Sequence, residues 1–202
     1  MMKQHFALAG NYGKLHGELV IPEQPRGLVI VAHAHRIAVN DTSARHLLAC
    51  GYALLGSMLL SEREMHFPDA TQDVGRLTRR LLDVIESSNR DENTKKLPLA
   101  LLVGGEVTPA AIRAAAQRDA RVAAIAALGG NADRAGLQAL GMLTAPLLML
   151  FDASTAPTAE VWERVRQRIA APNESHILNP GDKTGERIAD WLQRHMPPPE
   201  PI

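Results

Sequence analysis

The chain of 202 residues has one cysteine, no net charge and no long apolar run, and each absence excludes a class of protein. Cys50 cannot form an internal disulfide, which favours a reducing compartment. The 22 basic residues equal the 22 acidic ones, so no net field attracts nucleic acid or an anionic membrane. No apolar run reaches about 18 residues, and the N-terminus lacks a basic-then-apolar secretion pattern. We therefore expect a cytoplasmic protein that binds neither nucleic acid nor membrane, while its oligomeric state is left open.

Short apolar runs alternate with longer stretches of helical period from residue 26 onward. Such regular alternation predicts a mostly parallel sheet with helices on both faces, that is, a single three-layer α/β/α domain over residues 1–196. The alternating segment 14–23 predicts an antiparallel edge strand, and the proline-rich tail 197–202 cannot continue a helix. The predicted strands are 27–34, 52–60, 97–105, 121–130, 145–152 and 174–178. The predicted helices are 41–51, 73–88, one beginning at Pro109, 132–140, 158–170 and 183–196.

The polar residues that could carry chemistry follow the predicted strands. Ligands of open α/β sheets bind where the carboxyl ends of the strands meet the loops. Four segments should therefore converge: 33–36, 104–108, 151–155 and 175–181. The stretch SEREMH at 61–66 is expected to be a solvated loop, and the two tryptophans to pack in the core.

Several motifs, in this order and spacing, resemble the α/β-hydrolase fold and in particular small dienelactone-hydrolase-like proteins, over roughly residues 14 to 196. They are LHGELVIPEQPRGLVIVAHAH, DVGRLTRRL, ALGGNADRAG, LTAPLLMLFD and NESHILNPGDKTGERIADWL. The resemblance implies that fold, and it implies a nucleophile on a strand-to-helix turn written G-x-S-x-G or G-x-C-x-G.

The resemblance also implies a degenerate catalytic triad. Glu106 occupies the place of the nucleophile, and Thr108 that of the second glycine. Spacing puts Thr155 on the place of the acid, with Asp152 as the nearest carboxylate. The base matches His176, in a segment that is intact.

The resemblance further implies an oxyanion hole built from two backbone amides. Val107 would supply the amide that follows the nucleophile. Ala34 or His35 would supply the other, from the loop after the strand that ends in His33.

Three interpretations of Glu106 are left open. In the first, Thr108 caps a helix that begins at Pro109, and Glu106 only stabilises the helix N-terminus. In the second, Glu106 faces His176 and serves as a carboxylate nucleophile or base. In the third, Glu106 joins three histidines, His33, His35 and His176, in a zinc site.

The sequence favours a divergent relative of dienelactone hydrolases and small esterases that needs no cofactor. It would keep a small-molecule crevice lined by His33, His35, Glu106 and His176, without serine or cysteine acyl transfer. One alternative is an active hydrolase of esters, lactones or halides that uses Glu106 as nucleophile or base with His176. The other is a non-catalytic binding or interaction protein.

Overall fold

The computed structural model describes residues 1–10, 13–117, 121–152 and 156–196, and contains one eight-stranded sheet. The strand order is β1-β2-β4-β3-β5-β6-β7-β8. The strands are β1 Met2–Gly10, β2 Gly13–Ile21, β3 Leu28–His33, β4 Ala53–Met58, β5 Leu99–Gly104, β6 Val122–Leu128, β7 Leu147–Phe151 and β8 Asn173–Ile177. β1 and β2 pair antiparallel with each other, β2 pairs antiparallel with β4, and β3 to β8 are parallel. The mostly parallel sheet that the sequence predicts is confirmed.

The prediction for the sheet edge was wrong in one respect. The segment predicted as the edge forms β2, which lies between β1 and β4. β1 was not predicted, and it is the edge, paired with β2 over nine residues. The tail 197–202 lies outside the described residues.

Within the described residues, six helices cover the sheet, and two separate apolar clusters define the layers. The helices are α1 Thr42–Ala49, α2 Val74–Arg90, α3 Thr108–Ala115, α4 Leu137–Met142, α5 Ala156–Val165 and α6 Thr184–His195. Successive residues of a buried strand point to opposite faces, so each strand serves both clusters. One cluster packs residues such as Ile30 and Leu101 against α2 and α3, and the other packs Val31 and Leu102 against α1 and α6.

Both tryptophans pack in the core, as predicted, and each is about 1% exposed. Trp162 of α5 belongs to the cluster on the α2 and α3 face. Trp191 of α6 belongs to the other cluster, and its indole N–H donates to the carbonyl of Ile125 at 3.1 Å. Among the described helices, none combines the length and apolar character needed to cross a bilayer.

Candidate functional site

The turn between β5 and α3 carries Glu106 at its apex. β5 ends at Gly104, a 3-10 turn runs over Gly105–Val107, and α3 begins at Thr108. Gly105 has a φ of +50°, whereas no non-glycine residue in the described ranges has a positive φ. The side chain of Glu106 is therefore exposed at the apex on an ordinary backbone, and the left-handed conformation lies one residue earlier.

Thr108 fastens this turn to the neighbouring strand. The residue is fully buried, and its hydroxyl donates a 2.8 Å hydrogen bond to the carbonyl of Gly129, directly after β6. Gly130 approaches so closely that a Cβ there would lie 2.2 Å from the carbonyl oxygen of Gly105. The idea that the Thr108 side chain caps α3 is wrong, because Val107 precedes the helix without a side-chain cap. Pro109 does lie in the first helical turn, as predicted.

His33, the last residue of β3, lies next to the turn. A Cβ added to Gly104 would lie 3.0 Å from Cε1 and 3.3 Å from Nδ1 of this imidazole. Burial, and then the charge of Arg36, lower the pKa of His33 below 6.5, while Asp41 and Glu106 oppose that shift. The imidazole is therefore mostly neutral at pH 7, and one of its nitrogens can accept a hydrogen bond.

A cavity of about 450 Å³ opens beside His33. Its apolar floor comes from three adjacent strands, with Val31 on β3, Leu102 on β5 and Leu128 on β6. The first turn of α1 contributes polar groups, including Ser43. The cavity thus lies at the carboxyl ends of parallel strands, where this architecture binds ligands.

The segment after β3 holds the candidate oxyanion amides of Ala34 and His35. Ala34 is buried and His35 exposed. The carbonyls of His33 and Ala34 accept hydrogen bonds from the amides of Leu59 and Leu60, at 2.9 and 3.0 Å. The chain that leaves β4 therefore fixes this segment. Val107, the other candidate amide, is fully buried in the 3-10 turn.

A carboxylate in the SEREMH stretch anchors the chain after β4, so describing this stretch as a solvated loop was wrong for Glu64. Arg80 of α2, 3% exposed, binds both oxygens of Glu64 at 2.7 Å and the carbonyl of Leu59 at 2.6 Å. The amide and hydroxyl of Ser61 also donate to Glu64. Burial alone would raise the pKa of Glu64, but the hydrogen bonds from Arg80 and Ser61 outweigh it and lower the pKa to about 2. The Ser-x-x-Glu spacing is a capping-box pattern and could have revealed this contact.

His176 lies within β8, opposite Leu150 of β7. Its Nε2 is 3.6 Å from a carboxylate oxygen of Glu174, two residues earlier. Arg194 of α6 binds the same carboxylate at 2.8 and 3.3 Å, and lowers the pKa of Glu174. The carboxylate that lies next to His176 is therefore that of Glu174.

The remaining predicted site residues lie after β7. Asp152 follows this strand directly and is exposed. Thr155, at the predicted place of the acid, lies outside the described residues. Across the described parts of the chain, no three His, Cys, Asp or Glu side chains are grouped closely enough to hold a metal ion. The four groups considered as zinc ligands therefore do not converge.

Comparison with known proteins gave matches in sequence and in structure, although no family model matches the chain. Proteins from two strains of Mycobacterium tuberculosis, each named "Putative phosphoribosyl transferase", are 30% identical over 200 residues. The alignment covers 92% of this chain but only 45% of those proteins.

Several similar solved structures are hydrolases. A dienelactone hydrolase from Anabaena variabilis has a TM-score of 0.86 and 23% identity, covering 97% of this chain and 99% of its own. An α/β-hydrolase from Penicillium has a TM-score of 0.76 and 16% identity, and the match covers 97% of this chain and 99% of that one. A cold-adapted esterase from an Arctic metagenomic library has a TM-score of 0.75 and 12% identity, and the match covers 96% of this chain and 94% of that one. With its parallel sheet, its strand order and its turn between β5 and α3, the chain therefore has the α/β-hydrolase fold of the dienelactone hydrolase and esterase type.

Proposed function

We propose that this chain is a divergent α/β-hydrolase that lacks serine or cysteine acyl transfer and keeps a crevice for a small-molecule ligand. The observation that carries the proposal is the exposed carboxylate of Glu106 on the turn where this fold mounts its nucleophile. The nearest hydroxyl on that turn belongs to Thr108, which is buried and donates to Gly129. It is therefore not available to attack a carbonyl group.

The electrostatics of the site also oppose ordinary acyl transfer. A serine mechanism creates a negative oxygen beside the turn, and backbone amides must stabilise it. The carboxylate of Glu106 lies on the same turn, so an ionised Glu106 would oppose the formation of that negative oxygen.

The active alternative uses this carboxylate directly. Glu106 would attack the substrate, and a histidine would activate water against the ester intermediate. Glutamate is longer than the usual nucleophiles by at least one methylene, and misplacement by about 1 Å can lower a rate about a hundredfold. The pairing of His176 with Glu174 gives this alternative no direct support.

Phosphoribosyl transfer, named for the mycobacterial relatives, is a weaker candidate for this chain. The chain spans 45% of the length of those proteins, so the named activity can reside in the part that the chain does not cover. A phosphoribosyl donor carries a diphosphate, which needs amides and cations around it. The exposed carboxylate at the apex of the turn would repel such a group.

Turnover of nitrophenyl esters, lactones and haloalkanes by purified protein tests the proposal. We expect no turnover by the wild type. Turnover by the wild type that disappears in both Glu106→Gln and His176→Ala would overturn the proposal and support the active alternative.

The non-catalytic alternative differs in what fills the crevice. If the protein works only by binding another macromolecule, small molecules should not bind there. Saturable binding of a small molecule beside His33, observed by NMR, supports the crevice, and its absence across a broad fragment panel would contradict it.

A further inference from the structure

We propose that His33, and not His176, is the histidine that acts in this site, and that it accepts a hydrogen bond from the hydroxyl group of a small ligand, an alcohol or a phenol, in the adjoining cavity. The inference rests on the proposed function, because it specifies the ligand and the working group of that crevice.

The sheet order brings His33, rather than His176, close to the turn. β3 lies directly beside β5, whereas β8 is three strands away. At about 4.8 Å between neighbouring strands, three strands correspond to about 14 Å. His176 also lies inside β8, where it pairs with β7, rather than in the loop that follows. His33 is much closer to the turn, because its ring packs over Gly104 at the end of β5.

The ring of His33 is available to a ligand. Among the described residues, no side chain or backbone group forms a hydrogen bond with its nitrogens, and the residue lines the 450 Å³ cavity. His176, by contrast, is already next to Glu174. A half-buried neutral imidazole that faces an open cavity can accept one hydrogen bond without displacing a protein partner.

The surroundings of His33 define the chemistry of the ligand. Val31, Leu102 and Leu128 offer an apolar floor, which favours a hydrocarbon body. The charged groups that act on His33 are Arg36, Asp41 and Glu106.

Charges of both signs line the cavity. Asp41, which pairs with Arg36 at 2.7 Å, and Arg45 both belong to its lining, whereas Glu106 does not. The lining therefore selects neither an anion nor a cation. The hydroxyl group of an alcohol or phenol satisfies the acceptor nitrogen, and its hydrocarbon part fits the apolar floor.

A binding experiment with matched probes tests the ligand class. Phenol and toluene have nearly the same shape and differ in the hydroxyl group. Binding to the wild type is followed by the NMR resonances of the His33 ring and the Leu128 methyl groups. One hydrogen bond predicts that phenol binds up to about tenfold more tightly than toluene.

Variants separate His33 from its neighbours. His33→Leu should bind phenol and toluene equally, while His16→Leu, a change at an exposed histidine of β2 outside the cavity lining, should keep the preference. Equal binding of the two probes by the wild type, loss of the preference in His16→Leu, or phenol-induced shifts that map to His176 would each overturn the proposal.

A titration without ligand keeps the proposal falsifiable if His33→Leu fails to fold. Removing the charge in Glu106→Gln should lower the pKa of His33, because that carboxylate opposes the lowering caused by burial. An unchanged or raised pKa of His33 in this variant would overturn the proposal.

Failure of the proposed function can be told apart from failure of this inference. The proposed function fails if the wild type turns over esters and the turnover requires both Glu106 and His176, regardless of how phenol and toluene bind.

Discussion

Replacing Glu64 by glutamine should reduce the free energy of unfolding near neutral pH and leave it almost unchanged near pH 2. The pKa of Glu64 is about 2 in the folded protein, against an ordinary value of 4.5. At about 1.36 kcal/mol per pH unit, this difference corresponds to about 3 kcal/mol. A carboxylate with a lowered pKa contributes this stability fully above about pH 4.5 and loses it as the pH falls towards 2. The side chain is only 16% exposed, so solvent screening removes little of the effect.

Urea unfolding of the wild type and Glu64→Gln between pH 7 and pH 2.5 measures this difference. The gap between the two curves should be about 3 kcal/mol at pH 7 and should shrink steadily below pH 4.5. Glu62→Gln, at an exposed neighbouring carboxylate, is the matched control and should change stability by less than about 0.5 kcal/mol. A gap that stays constant with pH, or an equal loss in the control, would refute the reasoning.

The same variant should loosen the candidate site. Arg80, the partner of Glu64, also binds the carbonyl of Leu59. The amides of Leu59 and Leu60 in turn hold the carbonyls that follow the strand β3. Hydrogen exchange at these two amides should therefore be faster in Glu64→Gln than in the control. Unchanged exchange would show that the contact stabilises the protein without positioning the site.

Three smaller predictions concern the turn and its histidine. Thr108→Val should lower the free energy of unfolding by about 1–2 kcal/mol in urea, because the buried carbonyl of Gly129 loses its donor. Gly105→Ala should destabilise by about 1 kcal/mol because of the φ of +50°, whereas Glu106→Ala should change stability by less than about 0.5 kcal/mol. The pKa of His33 is lower in the folded protein than its ordinary value of 6.5, so protonation of this histidine opposes folding. The free energy of unfolding should therefore be fully retained above pH 6.5 and should fall as the pH decreases towards the pKa of the folded protein. His33→Leu should remove this pH dependence.

Most of the fold could be predicted because each central strand carries its own signal. Strands such as β5 are buried on both faces, so their sequence is continuously apolar, and the helices between them show a clear apolar period. β1 escaped prediction because most of its side chains over residues 2–7 are exposed, and in the described sheet it pairs with β2 alone. A solvent-facing edge strand needs no apolar pattern, and its pairing with a neighbour is a long-range contact that composition does not reveal.

The candidate site was predictable in its positions but not in its contacts. The sequence places His33, Glu106 and Asp152 at strand ends, and the structure has them there. It does not give the direction of a side chain within a strand, which depends on register. His176 therefore matched the base by spacing, whereas the structure pairs it with Glu174.

The proposed role of Glu106 in place of a nucleophile is consistent with the ordinary backbone of the turn. A serine has one carbon between its backbone and its oxygen, so the residue must adopt a strained backbone for the oxygen to stand clear of the turn. Glutamate reaches past the turn with its own side chain, and residue 106 no longer needs a positive φ. The left-handed conformation then lies at Gly105, where the missing Cβ removes a penalty of roughly 1–2 kcal/mol. The hydrogen bond from Thr108 to Gly129 and the close approach of Gly130 hold the turn in this relaxed form. A serine at position 106 would therefore project its oxygen clear of the turn only if the backbone there became strained.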